Sequence, residues 1–160
     1  MKIYIMRHGE AQMFANSDEE RALTDLGRLQ SQQVAQLSVE QMKTAGDGEV
    51  VFDLALVSPY LRAQQTWQEI EPKLAVKTVE TSQDITPYGD SEQVAAYLNA
   101  RAQIAPLSHV LIVSHLPLVG YLTAEFATGI QPPMFATSSM ACVEYDENSG
   151  CGELLWHIQA

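Results

Sequence analysis

The chain has 160 residues, of which 46% are hydrophobic and 18% charged, a balance typical of one globular domain with a single hydrophobic core. Its net charge of −11 argues against nucleic acid or an anionic membrane as a partner. Its apolar runs are too short to span a bilayer, and its first residues do not resemble a signal peptide. We therefore expect a cytoplasmic protein with one domain over residues 1–160.

The first predicted element is an apolar strand at Lys2–Met6. A polar loop separates it from a helix over Thr24–Lys43, for which Thr24 is the predicted N-cap. An apolar stripe with helical spacing is predicted to face the core, formed by Leu29, Val34 and Leu37.

A second strand is predicted at Phe52–Val57, and a helix follows it directly. Ser58 is the predicted N-cap of that helix and Pro59 its first residue, because proline lacks the N–H that a first helical position leaves unpaired. The helix is expected to run to Glu71, since Pro72 cannot continue it.

The remaining pattern is a short strand at Val76–Val79, a helix over Ser91–Ile104, a strand at His109–Val113 and a helix over Leu116–Ala127. The strand at 109–113 is almost continuously apolar, as expected of a parallel strand covered on both faces. Two further strands flank a turn at 146–150, namely Met140–Tyr145 and Glu153–Ile158. Alternating strands and helices indicate an α/β fold.

Three strand ends share one design. Arg7-His8-Gly9 follows the first strand, Ser58 and Arg62 follow the second, and Ser114-His115 follow the strand at 109–113. If these strands are parallel neighbours, two arginines, two histidines and two helix N-termini converge at one edge of the sheet, where such folds bind ligands. Arginines and helix N-termini both favour phosphate. The pattern therefore predicts phosphoryl transfer through a phosphohistidine, with no metal ion needed and with Ser58 as a further candidate contact.

The same residues resemble the signatures of the histidine phosphatase superfamily, the phosphoglycerate mutase-like proteins. Arg7-His8-Gly9 resembles its RHG motif, Leu23–Gly27 its LTxxG motif, Ser58–Thr66 its SPxxRAxQT element, and Ser114-His115 its second catalytic histidine. The resemblance spans most of the chain in the same order. It implies a three-layer α/β/α domain whose central sheet is mostly parallel, with an antiparallel contribution at one edge.

The resemblance also implies roles for individual residues. His8 would accept the phosphoryl group, and Arg7, Arg62 and His115 would form the phosphate pocket, without a cofactor or metal. Arg21 corresponds to a basic position near the pocket in relatives and is a candidate substrate-binding residue.

The chain departs from larger family members where they carry a glutamate as general acid. The corresponding region, Asp84–Gly89, contains no glutamate, and Asp84 is an uncertain substitute. Imidazole, whose conjugate acid has a pKa of about 6.5, leaves more easily than an alkoxide. Together with the short length and with Ser114–Leu122 and Pro132–Phe135, which look most like the bacterial phosphohistidine phosphatases, this gap favours phosphohistidine as the substrate.

We expect the phosphohistidine to be displayed on a phosphotransfer domain or a phosphocarrier protein, because little sequence is available for a lid that would enclose a metabolite. Two alternatives stay open. One is a small-molecule phosphomonoesterase, in which Asp84 or Glu10 would serve as the general acid. The other is a phosphoprotein-binding module without turnover. Cys142 and Cys151 are expected to be free thiols, although a cross-strand disulfide is conceivable, and the chain is expected to be a monomer.

Overall fold

Eight strands and four α-helices are distributed along residues 1–160, all of which the computed structural model describes. The strands are β1 (Lys2–Arg7), β2 (Val51–Phe52), β3 (Leu54–Val57), β4 (Ala75–Val76), β5 (Val79–Thr81), β6 (His109–Ser114), β7 (Met140–Asp146) and β8 (Cys151–Ile158). The helices are α1 (Asp25–Thr44), α2 (Leu61–Ile70), α3 (Ser91–Ile104) and α4 (Leu118–Phe126). Short 3-10 turns occur at Asp18–Glu20, Glu71–Lys73 and Gln83–Ile85.

The central sheet has six strands in the order β5-β3-β6-β1-β7-β8. The first four run parallel, whereas β7 is antiparallel to β1 and pairs with β8 as an antiparallel hairpin. A separate parallel pair joins β2 to β4. The prediction of a mostly parallel sheet with an antiparallel edge is confirmed.

Helices cover both faces of this sheet. Alternate side chains of β1 point to opposite faces, so Ile3 and Ile5 join the core beneath α3 and α4, and Tyr4 and Met6 join the core beneath α1 and α2. All four side chains are fully buried, which explains the continuous apolar character of this strand. The architecture is therefore the expected three-layer α/β/α arrangement.

The strand register brings the three predicted strand ends to one edge. Arg7 pairs with Ser114, and Val57 pairs with Val113. Because β3, β6 and β1 are adjacent and parallel, the residues that follow them emerge side by side.

The predicted stripe of α1 is wrong at two of its three positions. Val34 is buried, but Leu29 and Leu37 are 53% and 42% exposed. The buried face of α1 consists mainly of small residues, which allow the helix to approach the sheet closely: Gly27, Ser31, Val34, Ala35, Ser38 and Met42. Side-chain size at the contact, rather than hydrophobicity alone, selects the face.

Several element boundaries also differ from those predicted. Asp53 divides the second predicted strand into β2 and β3. The predicted strand at 76–79 is interrupted at Lys77-Thr78, where β4 ends before β5 begins. The helix α2 begins at Leu61 and not at Pro59, because Tyr60 has an extended backbone and is itself the N-cap residue. The Ser58 hydroxyl lies outside the helix, where it is bonded to His115. None of the four helices combines the length and the apolar character that crossing a membrane requires.

Both cysteines are free, and Cys142 is buried whereas Cys151 is exposed. They are not opposite each other in the hairpin, since Cys142 pairs with Trp156 and Cys151 with Asp146. The expectation of free thiols is confirmed.

Candidate active site

His8 follows the end of β1 and is held rigidly by its backbone. Its N–H donates to the carbonyl of Ser114 at 2.9 Å, and its carbonyl accepts from the N–H of Ser138 at 3.0 Å. Its ring Nδ1 lies 2.7 Å from the Gly9 carbonyl, which can only accept a hydrogen bond. Nδ1 therefore carries the proton, and Nε2 is left with the lone pair that a nucleophile needs.

Gly9 is required because the backbone of α1 approaches it closely. A Cβ atom at Gly9 would lie 2.7 Å from the Gly27 carbonyl oxygen and 2.8 Å from Ser31 Oγ. The Gly9 N–H donates to Thr66 Oγ1 at 2.9 Å, and the same hydroxyl donates to the Arg62 carbonyl at 2.7 Å. Thr66 thus links the turn that orients His8 to the helix that carries Arg62.

Arg62 projects from the first turn of α2 and is only 4% exposed. Its Nε donates to His8 Nε2 at 3.3 Å. Its Nη1 donates to the Asp18 carbonyl at 2.6 Å and its Nη2 to Asp18 Oδ2 at 3.1 Å. The guanidinium also lies 5.0 Å from the centre of the Tyr60 ring. Arg62 is therefore fixed with one edge against the candidate nucleophile.

Arg7 is a half-buried cation that forms no ion pair with a carboxylate. Its Nη1 donates to the Phe135 carbonyl at 2.8 Å, whereas its Nε is buried with no hydrogen-bond partner. Burial, followed by the nearby charge of Arg62, lowers the pKa of Arg7. Two neighbouring guanidinium groups with unused donors favour an anion between them.

His115 follows β6 and lies beneath the same opening, 1% exposed. Its ring centre is 5.0 Å from that of His8 and 5.0 Å from that of Tyr60. Its Nε2 is 2.6 Å from Ser58 Oγ, and its Nδ1 is buried without a partner.

Both histidines are neutral at physiological pH. Burial is the main cause and lowers the pKa of His8 to about 3 and that of His115 to about 2. The positive charges of Arg62 and Arg7 act in the same direction on both rings, while the bond to Gly9 opposes the shift at His8. Burial and the neighbouring cations thus keep the His8 lone pair available at pH values far below the ordinary pKa of histidine.

The structure brings five of the six predicted site residues together: Arg7, His8, Ser58, Arg62 and His115. Arg21 lies farther out and is connected to them through Asp18, whose Oδ1 accepts from Arg21 Nη1 at 3.0 Å. Arg21 Nε donates to the Gln12 carbonyl at 2.7 Å. No three His, Cys, Asp or Glu side chains come together as a group that could hold a metal ion.

Sequence reasoning missed Asp18, which binds both Arg62 and Arg21. The only local signal for Asp18 is its own position three residues before Arg21, in a loop that has no periodic pattern. The two acids considered as proton donors lie elsewhere in the hydrogen-bond network. Glu10 accepts from the Thr24 hydroxyl at 2.9 Å beside the start of α1, and the exposed Asp84 carboxylate has no hydrogen bond to a pocket residue.

The motifs and their geometry agree with a comparison of the sequence with family models, in which residues 3–94 match the histidine phosphatase superfamily (branch 1). The chain belongs to the histidine phosphatase superfamily. This histidine phosphatase is 43% identical over 159 residues to the phosphohistidine phosphatase SixA of Escherichia coli (strain K12), covering 99% of this chain and 93% of the relative. It is 38% identical over 160 residues to a SixA homolog of Haemophilus influenzae, covering 98% of this chain and 94% of the relative.

The fold of this histidine phosphatase is also that of a solved relative. A structure of the protein histidine phosphatase SixA complexed with tungstate superposes with a TM-score of 0.86 at 42% identity, covering 99% of this chain and 97% of that one. A structure described as a putative SixA from Agrobacterium tumefaciens shares the fold, with a TM-score of 0.77 at 21% identity and coverage of 99% and 97%.

Proposed function

We propose that this histidine phosphatase is a phosphohistidine phosphatase that uses His8 as its nucleophile. The observation that carries the proposal is the arrangement around His8: a buried neutral ring, a proton held on Nδ1 by Gly9, and Nε2 facing the Arg62 guanidinium at 3.3 Å. The name of the Escherichia coli relative, at 43% identity over nearly the whole chain, supports the same activity.

In the proposed reaction, His8 Nε2 attacks phosphorus in line with the P–N bond of the substrate. A P–N bond to His8 forms, the bond to the substrate imidazole breaks, and that imidazole takes up a proton as it leaves. A water molecule then attacks phospho-His8, which releases inorganic phosphate and restores His8. Arg7 and Arg62 bind the phosphoryl oxygens and offset their charge in both steps.

We assign His115 a hydrogen bond to a phosphoryl oxygen. The Ser58 hydroxyl accepts from the Tyr60 N–H at 3.4 Å, so its own proton is free to bond His115 Nε2 at 2.6 Å. The proton of the neutral ring then lies on Nδ1, the nitrogen that has no protein partner. In this proposal Ser58 acts through His115 by fixing its tautomer, whereas Arg21 acts at the edge of the pocket with Asp18.

The acids near the pocket favour a leaving group that needs little protonation. Hydrogen bonds from Arg21 and Arg62 lower the pKa of Asp18 although its partial burial opposes the shift, so Asp18 is ionised and is a poor proton donor. Asp84 is exposed and has no bond to the pocket. An imidazole leaving group fits this site better than an alkoxide.

The substrate class we propose is a phosphohistidine carried by a phosphotransfer domain or a phosphocarrier protein. The acidic composition of the chain supports neither a nucleic acid nor an anionic membrane as partner. We also propose that residues 1–160 act as one domain and as a monomer in the cytoplasm, where the two free thiols fit a reducing environment.

The test is phosphate release from a histidine-phosphorylated phosphotransfer domain by the wild type, His8→Ala and the matched control His109→Gln, which changes a histidine at the opposite edge of the sheet. Release by the wild type and the control but not by His8→Ala is expected. Activity of the wild type on p-nitrophenyl phosphate alone would select the small-molecule alternative. Binding of the phosphorylated domain without release would select the non-catalytic module.

A further inference from the structure

The most exposed large apolar side chains are concentrated around the active site. Five are more than three-quarters exposed, whereas no other large apolar residue exceeds 53%. Four of the five lie in loops at the edge of the sheet that carries His8, and we call them the apolar rim: Met13 (79%), Phe14 (85%), Tyr88 (85%) and Met134 (78%). The fifth, Ile104 (88%), ends α3 at the opposite edge.

Contacts of neighbouring residues place each rim member beside the site. Met13 and Phe14 follow Gln12, whose carbonyl accepts from Arg21. Met134 precedes Phe135, whose carbonyl accepts from Arg7. Tyr88 precedes Gly89, which packs against Leu118 at the start of α4.

The apolar rim comes from three separate loops, which join β1 to α1, β5 to α3, and α4 to β7. Each of these loops supplies a backbone carbonyl that accepts a hydrogen bond from the ends of the site strands or from an arginine of the site: Asp18, Ile85 and Phe135. Exposed apolar surface is costly to maintain in water, and contiguous patches of a few hundred Å² commonly mark interaction sites. Four side chains of this size expose on the order of 500 Å², which is less than the roughly 800 Å² that each partner buries in a stable complex. This size fits a transient encounter.

We propose that the apolar rim docks the protein that carries the phosphohistidine, and that this partner presents an apolar surface around its phosphohistidine with lysine or arginine outside it. This inference rests on the proposed function and identifies the surface that selects the substrate. The ring atoms of His8 and His115 are buried, so a phosphoryl group that reaches them brings the surrounding surface of its carrier onto the loops.

Charge complementarity defines the outer part of the partner surface. The exposed charged residues in the loops of the rim are acidic: Asp18, Glu19, Glu20, Asp84 and Asp90. Arg21, a basic residue of the same loop as Met13 and Phe14, is already paired with Asp18. A carrier with acidic residues around its phosphohistidine would be repelled, whereas a basic one would be attracted.

The experiment compares two substrates and two surface variants. The double variant Phe14→Ser/Tyr88→Ser removes two rim side chains, and Ile104→Ser removes an equally exposed apolar side chain at the other edge. The substrates are a phosphotransfer domain phosphorylated on its histidine and phosphoramidate, which has the same P–N bond but no protein surface. For the protein substrate, the double variant is expected to raise KM by at least about tenfold. The kcat/KM of the double variant for phosphoramidate should stay within about twofold of the wild type. For Ile104→Ser, the KM for the protein substrate and the kcat/KM for phosphoramidate should both stay within the same limit.

Each contrary result has a distinct meaning. Equal losses on both substrates, or equal effects of the rim and Ile104 variants, would overturn docking at the rim while phosphohistidine phosphatase activity stood. Hydrolysis of phosphoramidate without any hydrolysis of the phosphorylated domain would also overturn docking but leave the His8 chemistry intact. No hydrolysis of either would overturn the proposed function itself. A wild-type dimer in sedimentation that the double variant converts to a monomer would assign the rim to a second copy of the chain.

The basic character of the partner has its own readout. Raising the ionic strength from about 0.05 M to 0.5 M should increase KM for the phosphorylated domain, because salt screens attraction between opposite charges. The change should be larger than that measured for phosphoramidate. A decrease in KM would show repulsion and would overturn the inferred basic surface.

Discussion

Replacing Thr66 with valine should destabilise the protein and slow its chemistry, although valine has nearly the same shape. The Thr66 hydroxyl is fully buried, accepts from the Gly9 N–H at 2.9 Å and donates to the Arg62 carbonyl at 2.7 Å. Valine leaves the buried Gly9 N–H without an acceptor, which costs about 1–3 kcal/mol of unfolding free energy. It also removes a restraint on Gly9, the residue whose carbonyl fixes the proton on His8.

Thr123 provides a matched control within the same protein. It too is fully buried in a helix, and its hydroxyl donates to the carbonyl four residues earlier, that of Val119, at 2.7 Å. It accepts from no backbone N–H outside its helix. Because both substitutions remove the same kind of bond to the preceding turn, the difference between them isolates the Gly9 bond.

The assay is urea denaturation of the wild type, Thr66→Val and Thr123→Val, together with kcat on phosphoramidate. Thr66→Val should lose about 1–3 kcal/mol more stability than Thr123→Val and should lower kcat roughly tenfold, equivalent to about 1.4 kcal/mol in the barrier. Thr123→Val should retain kcat. Equal losses of stability with equal kcat would refute the idea that Thr66 supports the His8 turn.

Three further perturbations test other parts of the site. The free energy of unfolding should fall as the pH is lowered from about 6.5 towards 3, because His8 and His115 stay neutral in the folded protein but bind protons in the unfolded chain. Each histidine should contribute a slope of about 1.4 kcal/mol per pH unit. Urea midpoints measured across this pH range should therefore decline less steeply for His115→Gln than for the wild type, and an equal decline would contradict the prediction. Asp18→Asn keeps the size of the side chain but removes the negative charge beside Arg62 and Arg21. The inhibition constant of inorganic phosphate or tungstate should therefore fall about threefold to tenfold. A higher inhibition constant would mean that Asp18 mainly positions the arginines. Gly27→Ala would place a Cβ against the Glu10 carbonyl oxygen and should lower the free energy of unfolding in urea by about 1–3 kcal/mol or more. The control Gln33→Ala changes an exposed residue of the same helix and should leave that free energy almost unchanged. Equal urea midpoints for the two variants would contradict the close packing.

Local patterns were sufficient to predict the kinds of elements and the candidate chemistry. The apolar run of β1 ending at Arg7-His8-Gly9 predicts a buried strand with a site at its end, since alternation is lost only when both faces of a strand are covered. Thr24 was correctly predicted as the N-cap of α1, and its hydroxyl accepts from the Gly27 N–H at 3.0 Å. Such signals depend on neighbours within four residues, which the sequence contains.

The tertiary structure decided what depends on distant neighbours. The order β3-β6-β1 places Arg62, His115 and His8 around one opening, and no spacing in the chain encodes that adjacency. The same holds for Ser58, whose position predicts a helix cap but whose hydroxyl bonds His115, 57 residues away.

Asp18 shows the same division most clearly, because its role exists only through Arg62, which lies 44 residues later in the chain. The sequence by itself determined which groups are available, namely two arginines and two histidines at the ends of strands. The fold determined their protonation, because the pKa values of His8 and His115 fall to about 3 and 2 only when burial removes water from both rings.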